Sequence, residues 1–133
     1  MKLKCNEQLI KQLSWFQSPE RLSETIDEIE HQANFDYKSL IMPFGHKECW
    51  DGCAMAICRL KDDSFYSLVP ELLIWLQDLT WPGAQVIFTR LSNCPTEEIG
   101  GSLKEALQQA KASNDQEWYC NLLELTDSLE TSK

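Results

Sequence analysis

Histidine, glycine and proline are all scarce in this chain. Of 133 residues, 2 are His, 5 are Gly and 5 are Pro. So little Gly and Pro excludes a collagenous or low-complexity chain. The two histidines, His31 and His46, are the only imidazoles that could activate a nucleophile. No Cys-x-x-Cys pair occurs. Gly100-Gly101 stands alone, with no Lys-Ser/Thr after it, so there is no phosphate-cradling loop. No apolar run approaches the ~20 residues of a membrane span, and no segment alternates polar and apolar residues long enough to read as a half-buried strand. Positive charge is short as well: 12 Lys+Arg stand against 21 Asp+Glu, a net charge of −9. That balance argues against nucleic acid or an anionic membrane surface as a partner, since both call for basic patches. Met1–Gln8 begins with basic residues but lacks the apolar stretch of an export leader, which leads us to expect a cytoplasmic protein.

What is present is ordinary globular material, 43% hydrophobic and 25% charged. The length suits one domain by the usual ~100–200 residues per domain. Six cysteines (Cys5, Cys49, Cys53, Cys58, Cys94 and Cys120) are expected to be free core thiols in a reducing compartment. The acidity is concentrated in one half. Residues 1–61 carry 8 Lys/Arg and 9 Asp/Glu, whereas residues 62–133 carry 4 and 12. Such a surface keeps a small protein soluble and can also steer a basic partner.

Apolar residues recur at helical spacing along most of the chain. Leu9, Ile10, Leu13 and Phe16 predict a short helix over about 6–16. Ser18-Pro19-Glu20 is a helix start, followed by Leu22, Ile26, Ile29 and Ala33. Residues 34–45 read as a connection. Cys49, Cys53, Ile57 and Leu60 form the next stripe, with Asp62-Asp63-Ser64 as its stop. Pro70 opens a helix with Leu72, Leu73, Leu76 and Leu79 inward. Pro82 opens another, with Ala84, Ile87, Phe88 and Leu91 inward and Asp78 placed to cap it. Thr96 is expected to cap a helix carrying Ile99, Leu103, Leu107 and Ala110. Ser113-Asn114-Asp115 caps a last helix with Trp118, Leu122, Leu125 and Leu129 inside and Tyr119 and Leu123 beside them. The expected fold is all-α, with six to seven short antiparallel helices stacked in pairs over a single domain, residues 1–133.

The stretch Val69-Pro70-Glu71-Leu72-Leu73-Ile74-Trp75-Leu76-Gln77-Asp78-Leu79-Thr80-Trp81-Pro82-Gly83-Ala84 resembles the core of the bacterial domain-of-unknown-function family 5071. Leu40-Ile41-Met42-Pro43 is similar to that family's opening element, and Asn114–Tyr119 to its last helix. The chain departs from the pattern at Thr80, where Asn is common, at Gly83, where a branched residue is common, and at Ile99-Gly100-Gly101. The resemblance covers about residues 40–129. It leaves 1–39 as an added helical pair and 130–133 as a tail. It implies a HEAT-like helical stack, an α-α superhelix, and no enzyme activity.

Chemistry-bearing residues are sparse. His46, Cys49 and Cys53 share one face of a helix if it reaches back that far, but a closed zinc site wants a fourth ligand. Neither a metal nor a cofactor is therefore expected. A thiol- or metal-dependent protein built on those three residues is the alternative reading, and an intracellular scaffold another. Five tryptophans are many for this length, and Trp is enriched at binding hot spots; one or two of Trp75, Trp81 and Trp118 are expected to be partly exposed. The leading expectation is a non-enzymatic, protein-binding domain. Its partner would be basic, as a toxin immunised against by occlusion would be, in the first instance a nuclease. The expected contacts are Asp62, Asp63, Trp75, Asp78, Trp81, Glu97, Glu98, Asp115, Glu117 and Trp118.

Overall fold

The computed structural model of the protein describes residues 6–32 and 35–131. Every regular element in that span is helical. The α-helices are α1 (Asn6–Lys11), α2 (Pro19–His31), α3 (Trp50–Cys58), α4 (Asp62–Ser67), α5 (Val69–Leu72), α6 (Ala84–Ser92), α7 (Thr96–Ala112) and α8 (Gln116–Thr131). Shorter 3-10 turns cover Tyr37–Leu40, Lys47–Cys49 and Leu73–Gln77. The chain is all-α, as its periodicity predicts.

The ends of these helices follow from local chemistry. Ser18 accepts a hydrogen bond from the Arg21 amide at 3.2 Å, and Pro19 occupies the first turn, where no amide partner is needed. α7 ends with Asn114 in the left-handed region at φ 59°. The Asp115 amide reaches back to the Ala110 carbonyl at 2.9 Å, which closes a Schellman turn. The Asp115 carboxylate then accepts from the Trp118 amide at 3.0 Å and caps α8. Three residues thus reverse the chain, and α7 and α8 pack antiparallel along each other.

Several expected boundaries move. Asp62-Asp63-Ser64 is not a stop: it begins α4, whose Phe65 is fully buried. Acidic residues favour a helix N-terminus, so that triplet suits a start as well as an end. The helix opened near Pro70 tightens after one turn into the 3-10 segment Leu73–Gln77 and stops at Asp78, which is extended. Asp78 caps no helix; its carboxylate accepts from the Thr80 amide at 2.8 Å in a local turn. α6 begins at Ala84, two residues beyond Pro82. Thr96 is the first residue of α7, and its cap position is held by Pro95. α1 ends at Lys11, so Phe16 turns outward and is 83% exposed. Leu123 is also exposed. Ala33 and Cys5 lie outside the described residues.

One buried cluster runs through all the α-helices, from Leu9 and Leu13 to Leu125 and Leu129. Two close approaches set its geometry. Gly52 of α3 lies directly against the Leu13 carbonyl, leaving no room for a Cβ. Gly83 has φ +85°, and a Cβ there would stand 2.7 Å from Trp75 and 2.8 Å from the Trp50 carbonyl oxygen. Glycine alone meets both demands, which accounts for its presence where the resembled pattern carries a branched residue.

Gly83→Ala is therefore expected to cost about 2–4 kcal/mol, from a strained backbone together with overpacking. Gly101→Ala is the counterpart. Gly101 is exposed within α7 and a Cβ there meets nothing within 4 Å, so the change should stabilise by about 0.5–1 kcal/mol. Urea denaturation midpoints of the two variants, moving in opposite directions, check the pair.

Candidate partner-binding surface

The acidic residues expected to meet a partner do not gather in one place. Asp62 and Asp63 begin α4, and Glu97 and Glu98 begin α7; all four are exposed. Asp62 and Glu98 both act on Tyr66. Its phenol is pushed above the usual value chiefly by desolvation, and then by those two carboxylates and the Cys94 thiol. Asp62 and Glu98 thus share the neighbourhood of Tyr66, an acidic end of the molecule to which the first turns of α4 and α7 each contribute a carboxylate. Asp115 and Glu117 lie at the far end of α7, whose 17 residues span about 25 Å. Asp115 is committed to capping α8, and Glu117 is exposed beside it. Asp78 is committed to its turn, where the hydrogen bonds from Thr80 hold its carboxyl below the usual range, with the charge of Lys47 adding to them.

One cation organises the acidic end. The Arg90 guanidinium stands 3.1 Å from Asp62 and 3.2 Å from the Cys94 sulfur, and its centre lies 4.2 Å over the Phe65 ring. The arginine side chain is only 21% exposed. This seam joins α4 to α6. Arg90 counts among the few cations of the acidic half, but its stacking partner Phe65 sits on a helix that the sequence pattern hides.

The tryptophans are mostly internal. Trp75 and Trp118 are 0% and 2% exposed, so neither presents surface to a partner. Trp81 is half-buried. Trp50 packs edge-on to both Trp75 and Trp81, with ring centres 6.2 and 5.9 Å apart. Each buried indole needs a hydrogen-bond partner. Trp75 donates to the Pro82 carbonyl at 3.0 Å, Trp50 to the Pro43 carbonyl at 3.0 Å, and Trp118 to the Leu73 carbonyl at 2.9 Å. Three of the five tryptophans thus tie together turns and helix ends.

The thiols offer little reactivity. The described cysteines are free; Cys49, Cys53 and Cys94 are buried, Cys58 is half-buried, and Cys120 is exposed rather than in the core. Burial pushes Cys49 up to about 11, with the neighbouring Glu48 carboxylate adding to it. Burial likewise pushes Cys58 up to about 11, against the opposing charge of Arg90. Cys53 is pushed up further still, by burial and then by Cys49. A thiol held protonated is a poor nucleophile and a poor ligand. His46 precedes the 3-10 turn before α3, with its Nδ1 3.8 Å from Glu48. Among the described residues, no three His, Cys, Asp or Glu side chains are grouped to hold a metal ion.

The span from residue 45 to residue 132 matches the family model described as "Domain of unknown function (DUF5071)". The chain belongs to this family. The DUF5071 span takes in α3 to α8 and begins after Leu40-Ile41-Met42-Pro43, so that element lies outside it, together with α1 and α2. No curated protein and no solved structure matches the chain.

Two outcomes follow for the cysteines. A maleimide at pH 7 should label Cys120 rapidly in the native protein, with Cys49, Cys53 and Cys94 reacting only after unfolding, as mass analysis of labelled peptides would read. The folded thiols at Cys49 and Cys58 ionise above the ordinary value near 9, so the unfolded chain loses these protons first. Their contribution to stability is intact below pH 9 and is lost as pH rises toward 11. The melting temperature should fall across that window, and Cys49→Ala should flatten the fall.

Proposed function

We propose that this DUF5071 member is a non-enzymatic binding domain for a basic protein. More narrowly, we propose that it is a bacterial immunity protein that neutralises a basic toxin, in the first instance a nuclease, by covering its active site. The observation that supports this most is the exposed acidic end, where Asp62 of α4 and Glu98 of α7 both lie near Tyr66 and Asp63 and Glu97 are exposed in the same first turns. Arg90 offsets part of that charge from a half-buried position. The net charge of −9 extends the same field around the molecule. Such a surface suits the substrate cleft of an enzyme that handles a polyanion, and it raises the rate of encounter. A cytoplasmic location and the HEAT-like stacking implied by the family belong to the same reading. No described helix is long and apolar enough to cross a membrane.

The corrected contact set is Asp62, Asp63, Glu97 and Glu98, with Glu117 and Trp81 as outlying members. Affinity capture from the native organism at low salt, eluted at high salt, should yield one stoichiometric basic protein that is a toxin. A partner unrelated to toxins turns the reading to a scaffold, and no salt-sensitive partner removes it. Once the partner is in hand, Asp63→Lys with Glu97→Lys should slow association by about tenfold or more and flatten its salt dependence, leaving dissociation nearly unchanged. Stopped-flow association rates at two salt concentrations check this.

A further inference from the structure

A groove opens where α2 crosses α3 and α6. It encloses about 540 Å³, and its lining is almost wholly apolar, from Pro19, Leu22, Ile26, Met55 and Val86. A second trough of about 470 Å³ continues it, sharing Cys58 and Val86 and ending on the polar Gln85, Thr89 and Asn93 and the cationic Arg90. Met55 and Val86 are 43% and 37% exposed, although α3 and α6 turn their other faces into the core. Leu22 and Ile26 lie one turn apart on α2, and Val86 and Arg90 one turn apart on α6.

We infer that this groove docks a basic amphipathic helix of the protein partner. The inference rests on the proposed reading for the partner's charge, and it adds a second contact region, apart from the acidic end, and the form of the segment that fills it. Two features select the occupant. The first is the backbone. The walls are helices whose own amides and carbonyls are consumed internally, so an extended segment laid in an apolar groove would find no partners for its backbone. A helix brings its backbone bonds with it, and ridges spaced by three and four residues fit between such walls. The second is charge. On α2, Glu20, Asp27 and Glu30 follow the solvent side of the groove-lining face. The one guanidinium there, Arg59, stands 2.8 Å from Asp27 and 2.9 Å from Glu30. Among the described residues, one cation thus stands against three carboxylates on that rim, and Arg90, which lines the second trough, is itself paired with Asp62 at 3.1 Å; the surplus of carboxylates is matched by Lys or Arg flanking the apolar stripe of the incoming helix. α2 lies outside the DUF5071 span, whereas α3 and α6 lie inside it. The acidic rim is thus contributed by the part of the chain that precedes the family domain.

The test titrates the full-length, isotope-labelled protein with an amphipathic Leu/Lys helix of about 18 residues, and separately with its Leu/Glu counterpart, reading amide chemical shifts. The expected result is binding of the Leu/Lys helix with shifts centred on Leu22, Ile26, Met55 and Val86. Met55→Lys and Val86→Lys should each weaken it by about tenfold, with melting temperatures near that of the parent. The Leu/Glu helix should bind at least about tenfold more weakly. Shifts centred on the starts of α4 and α7, equal binding of the two helices, or full binding by both Lys variants would each overturn the groove assignment. So would the absence of any shift. None of these outcomes touches the capture experiment, so the basic-partner reading stands or falls separately.

Discussion

The arrangement depends on indole N–H groups finding backbone carbonyls where helices end. The segment Leu73–Gln77 is wound as a 3-10 turn and then becomes extended at Asp78, which leaves its carbonyls short of helical partners. Leu73 receives Trp118, and Leu76 receives the Asn121 amide at 2.8 Å, both from α8 and 45 residues away. On the other side Trp75 donates to Pro82, at the turn that launches α6. Removing one of these donors would leave a buried acceptor unmet, a loss of about 1–3 kcal/mol. The bonds also specify which helix lies on which, because a carbonyl at a helix end can be reached from only one direction. Gly83 makes the arrangement possible by letting its backbone close on Trp75 and Trp50 together.

Charge plays a different part at each seam. Arg59 joins α3 to α2, and Arg90 joins α6 to α4. Both use the planar guanidinium to reach more than one group, which an ammonium does less well. Arg90 adds stacking on Phe65 and a contact with the Cys94 sulfur. Glu20, Asp62, Asp63, Glu97, Glu98 and Glu117 sit in first turns, where the backbone amides favour them. The acidity on which the proposed basic partner depends therefore has local structural uses as well. Asp78 and Asp115 are consumed by turn and cap bonds, while Asp63, Glu97 and Glu117 remain exposed to solvent.

The long helices were legible because their stripes are strong. Ile99, Leu103 and Ala110 on α7, and Trp118, Leu122, Leu125 and Leu129 on α8, are buried as their spacing implies. The family was legible from Trp75, Asp78, Trp81 and Pro82, whose rarity makes the motif specific. α4 escaped because six residues hold one turn and a half, too few to display a period, and because acids mark either end of a pattern. The shift from α to 3-10 after Leu72 escaped because the carbonyls it frees are met by residues 45 positions away on α8. The site was less legible than the fold. Helical spacing says which tryptophans share a face but not which face is covered, so Trp75 and Trp118 read equally as core or contact. The groove at Met55 and Val86 was hidden for a related reason: it belongs to three helices at once, and Met55 and Val86 lie off the strongest stripes of α3 and α6.

The indoles are unequally placed, and that has an optical consequence. Trp118 and Trp75 lie in a dry interior and donate to carbonyls, while Trp15 is 52% exposed and adjoins Phe16 near the N-terminal helices. A dry indole emits at shorter wavelength than a wet one. The native emission band is therefore a composite whose blue portion reports on the helical interior and whose red edge reports on the junction between α1 and α2. Iodide, which quenches only what it can reach, would strip the red edge first. The protein thus carries within its own sequence a two-colour gauge that distinguishes loosening of its N-terminal part from dissolution of its core.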